Sequence, residues 1–186
     1  MNQNLFFFLL FLPLLIQTNL PPSTMFAAAA GDIVYDTCKQ VAAGDPQLDY
    51  SFCVYLFNSS PGSHKADLKG LAIISIGFTI QNAQHVLGNI NNLIKREPGN
   101  TYKKKCLSTC KENYDDAVSE IRDAGKAIEL GRISDARTEL SASFDAADTC
   151  EDCFTDGNIQ SPLTKDDDYY TSVARVSLAV AALLDK

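Results

Sequence analysis

From Ala66 onward, the apolar residues of this chain recur every three or four positions in four successive segments. Such steps keep one apolar stripe on one face of a helix, so each segment is predicted to be an amphipathic α-helix that faces a common core. Residues typical of breaks separate the segments: "EPGN" after the first, "ELGRIS" after the second and "DGNIQSPLT" before the last. Four long helices with short links predict an all-α fold, an antiparallel up-down-up-down four-helix bundle.

The predicted helix ends depend on capping residues. Ser63 is expected to cap the first long helix, and Gly131 supplies the left-handed residue that closes the second. Thr164 is expected to cap the last helix, whose first turn then contains Asp166, Asp167 and Asp168. We interpret these acids as negative charge against the helix dipole rather than calcium ligands, because no glycine-containing twelve-residue calcium loop accompanies them.

The first 30 residues carry no charged side chain and include an apolar run from Leu5 to Ile16. This run is too short to span a bilayer but suits a secretory signal, with cleavage expected after Ala28 or Ala30. The chain is therefore predicted to be secreted. The predicted organisation is a signal peptide at 1–30 and one domain at 31–186, divided into an N-terminal α-helical hairpin (31–62) and the four-helix bundle (63–186).

Six cysteines in a secreted chain of this size predict three disulfides. In an antiparallel helical hairpin, residues that face each other lie at equal distances from the turn. Three cysteine pairs have their midpoint at a predicted turn, two of them beside Gly131 and one within "AGDPQ". Exchanging partners between the two bundle pairs would stagger each pair by about one helical turn, farther than the roughly 6 Å between bridged Cα atoms. The predicted pairs are Cys38–Cys53, Cys110–Cys150 and Cys106–Cys153.

The stretch "TCEDCF" has a Cys-x-x-Cys spacing that also occurs in redox and zinc sites. A redox role is disfavoured because Asp148, Glu151 and Asp152 surround the pair with negative charge, which opposes formation of a thiolate. A zinc site built from the four bundle cysteines is the other alternative, but facing thiols in an oxidising compartment are expected to close. We therefore expect no metal and no cofactor.

The composition argues against several function classes. The formal net charge is −7 at pH 7, so nucleic acids and anionic membranes would repel the domain, and a basic partner is favoured. His64 and His85 are the two near-neutral bases, and no nucleophile elbow, zinc-protease motif or phosphate-binding loop accompanies them. The chain is therefore not expected to be an enzyme. The sequon "NSS" marks Asn58 as a candidate N-glycosylation site.

The stretches "IVYDTC", "LDYSFCVYLF", "ADLKGLAIISI", "CKENYDDAVSEI" and "DTCEDCF", together with the predicted hairpin and bundle, resemble the plant invertase and pectin methylesterase inhibitor family. The chain is most similar to its subgroup named "putative invertase inhibitors", which includes a plane-tree pollen allergen. The family's four-cysteine topology matches Cys38–Cys53 and Cys110–Cys150. Cys106 and Cys153 are additions to that pattern.

The resemblance implies a monomer that binds one cell-wall enzyme of the apoplast, an invertase or a pectin methylesterase, in a 1:1 complex and blocks its active-site cleft. Arg132 and Ile133 lie in the turn where tobacco-type invertase inhibitors carry a Pro-Lys-Phe motif, which this chain lacks. Thr149 matches the threonine that precedes the last family cysteine in pectin methylesterase inhibitors. These three residues are the candidate partner contacts. The alternative function is a non-inhibitory, allergen-like secreted protein that retains the fold.

Overall fold

The structure is a computed structural model that describes residues 31–185, so the predicted signal peptide lies outside the described residues. Every regular element of this range is helical, and a short 3₁₀ turn, Ser63–Lys65, separates the N-terminal hairpin from the first long helix. The α-helices are α1 (Ile33–Gly44), α2 (Tyr50–Asn58), α3 (Leu68–Arg96), α4 (Tyr102–Glu129), α5 (Ile133–Phe144), α6 (Ala146–Asp156) and α7 (Thr164–Leu183).

Four antiparallel layers form the bundle: α3, α4, the α5–α6 pair and α7. Each packs on the next along the chain, and α7 returns to pack on α3, as the sequence predicts. The apolar stripes meet in one core, where the rings of Tyr114 and Tyr170 pack edge to face with centroids 5.0 Å apart. Fully buried aliphatic residues of this core include Leu71, Ile90, Leu107, Ile121, Ile128 and Leu140.

The first long helix begins later than predicted. Its N-cap is Asp67, whose carboxylate accepts a 2.7 Å hydrogen bond from the Gly70 amide. Ser63 is instead buried, and its hydroxyl donates to the carbonyls of Phe57 and Ser60. The prediction for Ser63 was wrong because a hydroxyl also satisfies the carbonyls at a helix C-terminus, and here it closes the turn after α2.

The start of the last helix also differs from the prediction. Thr164 is the first helical residue rather than the cap, and its hydroxyl donates to Glu151 on α6 at 2.9 Å. Buried Leu163 precedes it and supplies no side-chain cap. The interpretation of Asp167 as a dipole-facing surface charge is wrong, because this side chain points into the core and only 2% of it is exposed.

The predicted third bundle helix is two helices, α5 and α6, that meet at Asp145. The Ser143 hydroxyl donates to the Leu140 carbonyl, a bond that competes with the regular helical ladder. The Tyr170 hydroxyl, on α7, then donates to the Ser143 carbonyl at 2.6 Å. The apolar spacing alone could not show this break, because the stripe continues on the same side of both helices.

Three disulfides join the cysteines in the pairs that the turn midpoints predict. Their Cα–Cα separations are 5.7 Å for Cys38–Cys53, 5.4 Å for Cys106–Cys153 and 4.6 Å for Cys110–Cys150. The last two both bridge α4 to α6. Gly131, with φ +74°, makes the left-handed turn between α4 and α5 that sets their register. No cysteine of residues 31–185 retains a free thiol, which removes the thiolates that redox chemistry or a zinc site would need.

A buried carboxyl pair connects α7 to α4 and α6. Asp167 Oδ1 accepts a 2.6 Å hydrogen bond from the Tyr114 hydroxyl. Asp167 Oδ2 and Glu151 Oε1 are buried without a hydrogen-bond partner, and the two carboxyl groups lie within 4.8 Å of each other. The pKa of Asp167 is raised to about 8, mainly by burial and then by the nearby Glu151. A proton on Asp167 therefore supplies the donor that the pair lacks.

Candidate enzyme-binding surface

The negative charge of this protein is concentrated in one part of the fold. Residues 112–156, which form most of α4 and all of α5 and α6, contain thirteen acidic and four basic residues, a net charge of −9. The remainder of the chain contains ten acidic and twelve basic residues, a net charge of +2. Residues 112–156 therefore carry more than the whole net charge of −7.

Three acids lie close enough to Glu120 on α4 to act on its charge, and we call the four together the acidic face: Glu120, Asp116 on α4, Glu139 on α5 and Asp145 at the α5–α6 junction. Glu120 is half-buried. Its pKa is raised, first by burial and then by the negative charge of the other three acids. Repulsion of this kind is relieved when a cationic surface covers the face, so the arrangement favours a basic partner.

The turn at one end of α5 presents a different chemistry. Leu130 is 70% exposed there, and Arg132 is exposed with its guanidinium 3.3 Å from the Asp135 carboxylate. Ile133 is only half-buried and packs against the core. Arg132 and Asp135 also line a shallow groove of about 200 Å³ between α4 and α5, which Asp123 and Glu139 border from either helix. An exposed leucine beside a cation offers a mixed apolar and charged contact.

Thr149 lies far from that turn. It is exposed on α6, next to the bridged Cys150. Sixteen positions of the α5–α6 pair separate it from Ile133, which is the first residue of α5. The structure thus brings Arg132 and Ile133 together but places Thr149 at the other end of the same layer, with Glu139 and Asp145 between them along the chain.

Sequence reasoning missed the acidic face. Spacing along single helices shows acids on solvent-facing positions and does not show which acids of different helices meet. A count of charge by segment would have found the region, since the excess begins at Glu112 and ends at Asp156. The meeting of Glu120 with Glu139 depends on how α4 packs against α5, which no single-helix pattern contains.

The candidate glycosylation residue Asn58 is exposed at the end of α2, where its carboxamide oxygen accepts a 2.9 Å hydrogen bond from His64 Nε2. The helix α2 packs mainly on α1 and α3, outside the acidic face.

Arg175 on α7 holds the N-terminal hairpin to the bundle through a 3.1 Å ion pair with Asp45. Among residues 31–185, no helix is long and apolar enough to cross a membrane.

Comparison with known proteins agrees with this architecture. Residues 32–180 match the family model described as plant invertase/pectin methylesterase inhibitor. Two proteins named "Putative invertase inhibitor" are similar to this chain. The one from Platanus orientalis is 35% identical over 86% of this chain and 94% of its own length. The one from Platanus acerifolia is 36% identical over 85% and 88%.

A solved structure shares the fold: the crystal structure of mutant form A of a pectin methylesterase inhibitor from Arabidopsis. It superposes with a TM-score of 0.64 at 21% identity, covering 73% of this chain and 90% of its own. The family match spans the hairpin, the bundle and all six cysteines. The chain therefore belongs to the plant invertase/pectin methylesterase inhibitor family, whose members are inhibitors of enzymes and not enzymes themselves.

Proposed function

We propose that this protein is a secreted monomer that binds one apoplastic invertase or pectin methylesterase in a 1:1 complex and blocks its active-site cleft. Family membership supports an inhibitory role, and the names of the relatives cover both kinds of target. The observation that carries the proposal beyond the family is the charge of −9 on residues 112–156. A surface of this sign speeds encounter with a basic rim around an enzyme cleft.

The disulfides suit this task. Cys106–Cys153 and Cys110–Cys150 both join α4 to α6, about one helical turn apart on α4. The acidic face therefore draws its acids from α4 and from the α5–α6 layer, which the two disulfides fix relative to each other. A surface ordered before binding loses less conformational entropy on docking, so more of the contact energy remains as affinity.

Stoichiometric titration tests the inhibitory function. Adding purified mature protein to a fixed amount of cell-wall invertase or pectin methylesterase is expected to reduce activity linearly to an equivalence point at one inhibitor per enzyme. Neutralising the acidic face with Asp116→Asn and Glu139→Gln is expected to slow association roughly tenfold at low salt, with a smaller difference at high salt.

The matched control removes two exposed acids elsewhere, Asp36→Asn on α1 and Asp168→Asn on α7, and so makes the same change in net charge. This variant is expected to inhibit as the unmodified protein does. Equal slowing of both variants would show that net charge alone steers binding. The acidic face would then no longer be assigned as the enzyme-binding surface.

The two ends of the α5–α6 layer allow a test of which enzyme is bound. We expect Thr149→Ala to weaken inhibition about tenfold if the target is a pectin methylesterase, and the pair Arg132→Ala and Ile133→Ala to do so if it is an invertase. The two effects are separable because the two sets of residues lie on different helices, Arg132 and Ile133 at the start of α5 and Thr149 on α6. Loss of inhibition from both sets against one enzyme would mean that the contact covers the whole layer.

A second candidate function is a secreted helical protein that retains the fold without inhibiting an enzyme. The observation that favours it is the turn at Arg132 and Ile133, which stands where the Pro-Lys-Phe motif occurs in tobacco-type inhibitors. This candidate is supported if neither enzyme loses activity at any inhibitor concentration between acidic and neutral pH. In either case we propose Asn58 as the N-glycan acceptor, on a helix that leaves the acidic face uncovered.

A further inference from the structure

A second charged surface, of opposite sign, lies where α3 ends and α4 begins. We call it the basic end: Lys95, Arg96, Lys103, Lys104 and Lys105. The single acid of this stretch, Glu97, pairs with Lys103 at 3.1 Å. Within residues 31–185, no carboxylate lies within 4.0 Å of the side-chain nitrogens of the other four cations.

Helix stability explains only part of this arrangement. Lys95 and Arg96 occupy the last turn of α3, where positive charge is favourable against the helix dipole. The three lysines at 103–105 occupy the first turn of α4, where each positive charge costs about 0.3–1 kcal/mol. Thr101 already caps that helix by accepting from the Lys104 amide, so the cap does not need the lysine side chains.

The unpaired lysines border a shallow groove of about 470 Å³. Its lining combines Lys104 and Lys105 with Asn100, Gly99 and Ser108. The Lys104 ammonium group donates to the Glu97 carbonyl at 3.3 Å, which holds it over the groove's edge. The groove therefore offers two cations together with amide and hydroxyl groups that can bond to hydroxyl-rich ligands.

The residue that precedes these lysines in α4 is aromatic. Tyr102 is 48% exposed, and its ring packs directly on Gly157 at the end of α6. A methyl group at position 157 would lie 2.1 Å from a ring carbon, so only glycine allows this position of the ring. A half-exposed aromatic ring held in place by close packing is a platform for the apolar face of a sugar ring.

We propose that the basic end binds a polyuronide, a polysaccharide whose sugar units carry carboxylates, while the acidic face remains free for the enzyme. The cations pair with the carboxylates, Asn100 and Ser108 bond to hydroxyl groups, and Tyr102 stacks on a sugar face. A lipid surface would instead need apolar side chains that insert, and the basic end exposes none beyond this packed ring. The inference rests on the proposed extracellular inhibitor, since pectin methylesterases convert methyl esters into such carboxylates.

Binding to polygalacturonate tests the inference, with fully methyl-esterified pectin as the uncharged comparison. The purified protein is expected to be retarded in affinity electrophoresis by polygalacturonate and not by the esterified polymer, and added salt is expected to weaken binding. Lys104→Gln with Lys105→Gln is expected to weaken it about tenfold. Tyr102→Ala is expected to weaken binding about fivefold without changing the salt dependence.

The matched control is Lys39→Gln with Lys65→Gln, which removes the same charge from exposed positions on α1 and in the 3₁₀ turn. Equal loss in this control, equal binding to esterified pectin, or equal binding to vesicles containing phosphatidylserine would each overturn the proposal. The lysine variants should still inhibit the target enzyme when a neutral substrate is used. A protein that binds polygalacturonate but inhibits neither enzyme would refute the proposed function alone. A protein that inhibits an enzyme but does not bind polygalacturonate would refute only this inference.

Discussion

Replacing Asp167 with asparagine is expected to remove most of the pH dependence of stability between pH 5 and pH 8. Burial in the folded protein raises the pKa of Asp167 from its ordinary value of 3.8 to about 8. The folded state therefore holds a proton that the unfolded state has lost, and stability falls as pH rises through this window. The slope is about 1.4 kcal/mol per pH unit where only the folded form stays protonated.

The asparagine amide reproduces the protonated acid. Its carbonyl oxygen can accept from the Tyr114 hydroxyl, as Asp167 Oδ1 does at 2.6 Å. Its NH₂ group can donate to Glu151, whose buried Oε1 lacks a partner. We expect the variant to match the unmodified protein below about pH 4, where Asp167 is protonated in both the folded and the unfolded state, and to exceed its free energy of unfolding by up to about 5 kcal/mol at pH 8.

Other acids do not produce this pattern. The pKa values of Asp32, Asp45 and Glu97 are lowered, first by hydrogen bonds to His64, to the Gln47 amide and to Lys103 respectively. Their stabilisation is lost only as pH falls below the usual carboxyl range. The pKa of Glu120 is also raised, so Glu120 makes the free energy of unfolding fall with rising pH, as Asp167 does. We expect this small pH dependence to remain in the Asp167→Asn variant.

Urea unfolding at half-unit intervals from pH 4.5 to pH 8.5 measures the effect. The matched control is Asp168→Asn, which removes the same charge from the neighbouring exposed position. That control is expected to keep the slope of the unmodified protein. An Asp167→Asn variant that is less stable at every pH would show that the ionised carboxylate, rather than the protonated one, is the native form.

Removing both bridges between α4 and α6 is expected to cost more than the sum of the two single removals. Closing the 40-residue loop between Cys110 and Cys150 stabilises the fold by about 4 kcal/mol in the chain-entropy model. The Cys106–Cys153 bridge encloses the same loop. Either bridge alone keeps the loop closed. Removing one bridge therefore costs only the small extra stabilisation from closing the short ring that the two bridges form with residues 106–110 and 150–153.

The comparison uses alanine at each pair separately and at all four cysteines together, with unfolding followed in urea. Replacing Cys38 and Cys53 with alanine is the control, because their 15-residue loop in the hairpin is separate from the bundle loops. Its cost, about 3 kcal/mol in the same model, should add to that of either bundle removal. Strict additivity of the two bundle removals would show that the bridges act locally rather than through a shared loop.

The helices and the cysteine pairing follow from local rules. Apolar spacing places the helices because the core needs one continuous stripe, and Gly131 ends α4 because few other residues adopt φ near +74°. The pairing follows because facing positions in a helical hairpin are equidistant from its turn. The turn caps at Ser63 and Thr164 were mispredicted, since a hydroxyl near a helix end can bond to either of two neighbouring elements.

Local patterns in the sequence are enough to place most of the helical residues, to pair the cysteines and to locate the excess of negative charge along the chain. Tertiary structure alone decided that α5 and α6 part at Asp145, because the Tyr170 hydroxyl that bonds to the Ser143 carbonyl comes from another helix. It also decided that Asp167 is buried beside Glu151 and that Glu120 meets Glu139. Burial and electrostatic coupling depend on distances between elements distant in sequence, and no local pattern contains those distances.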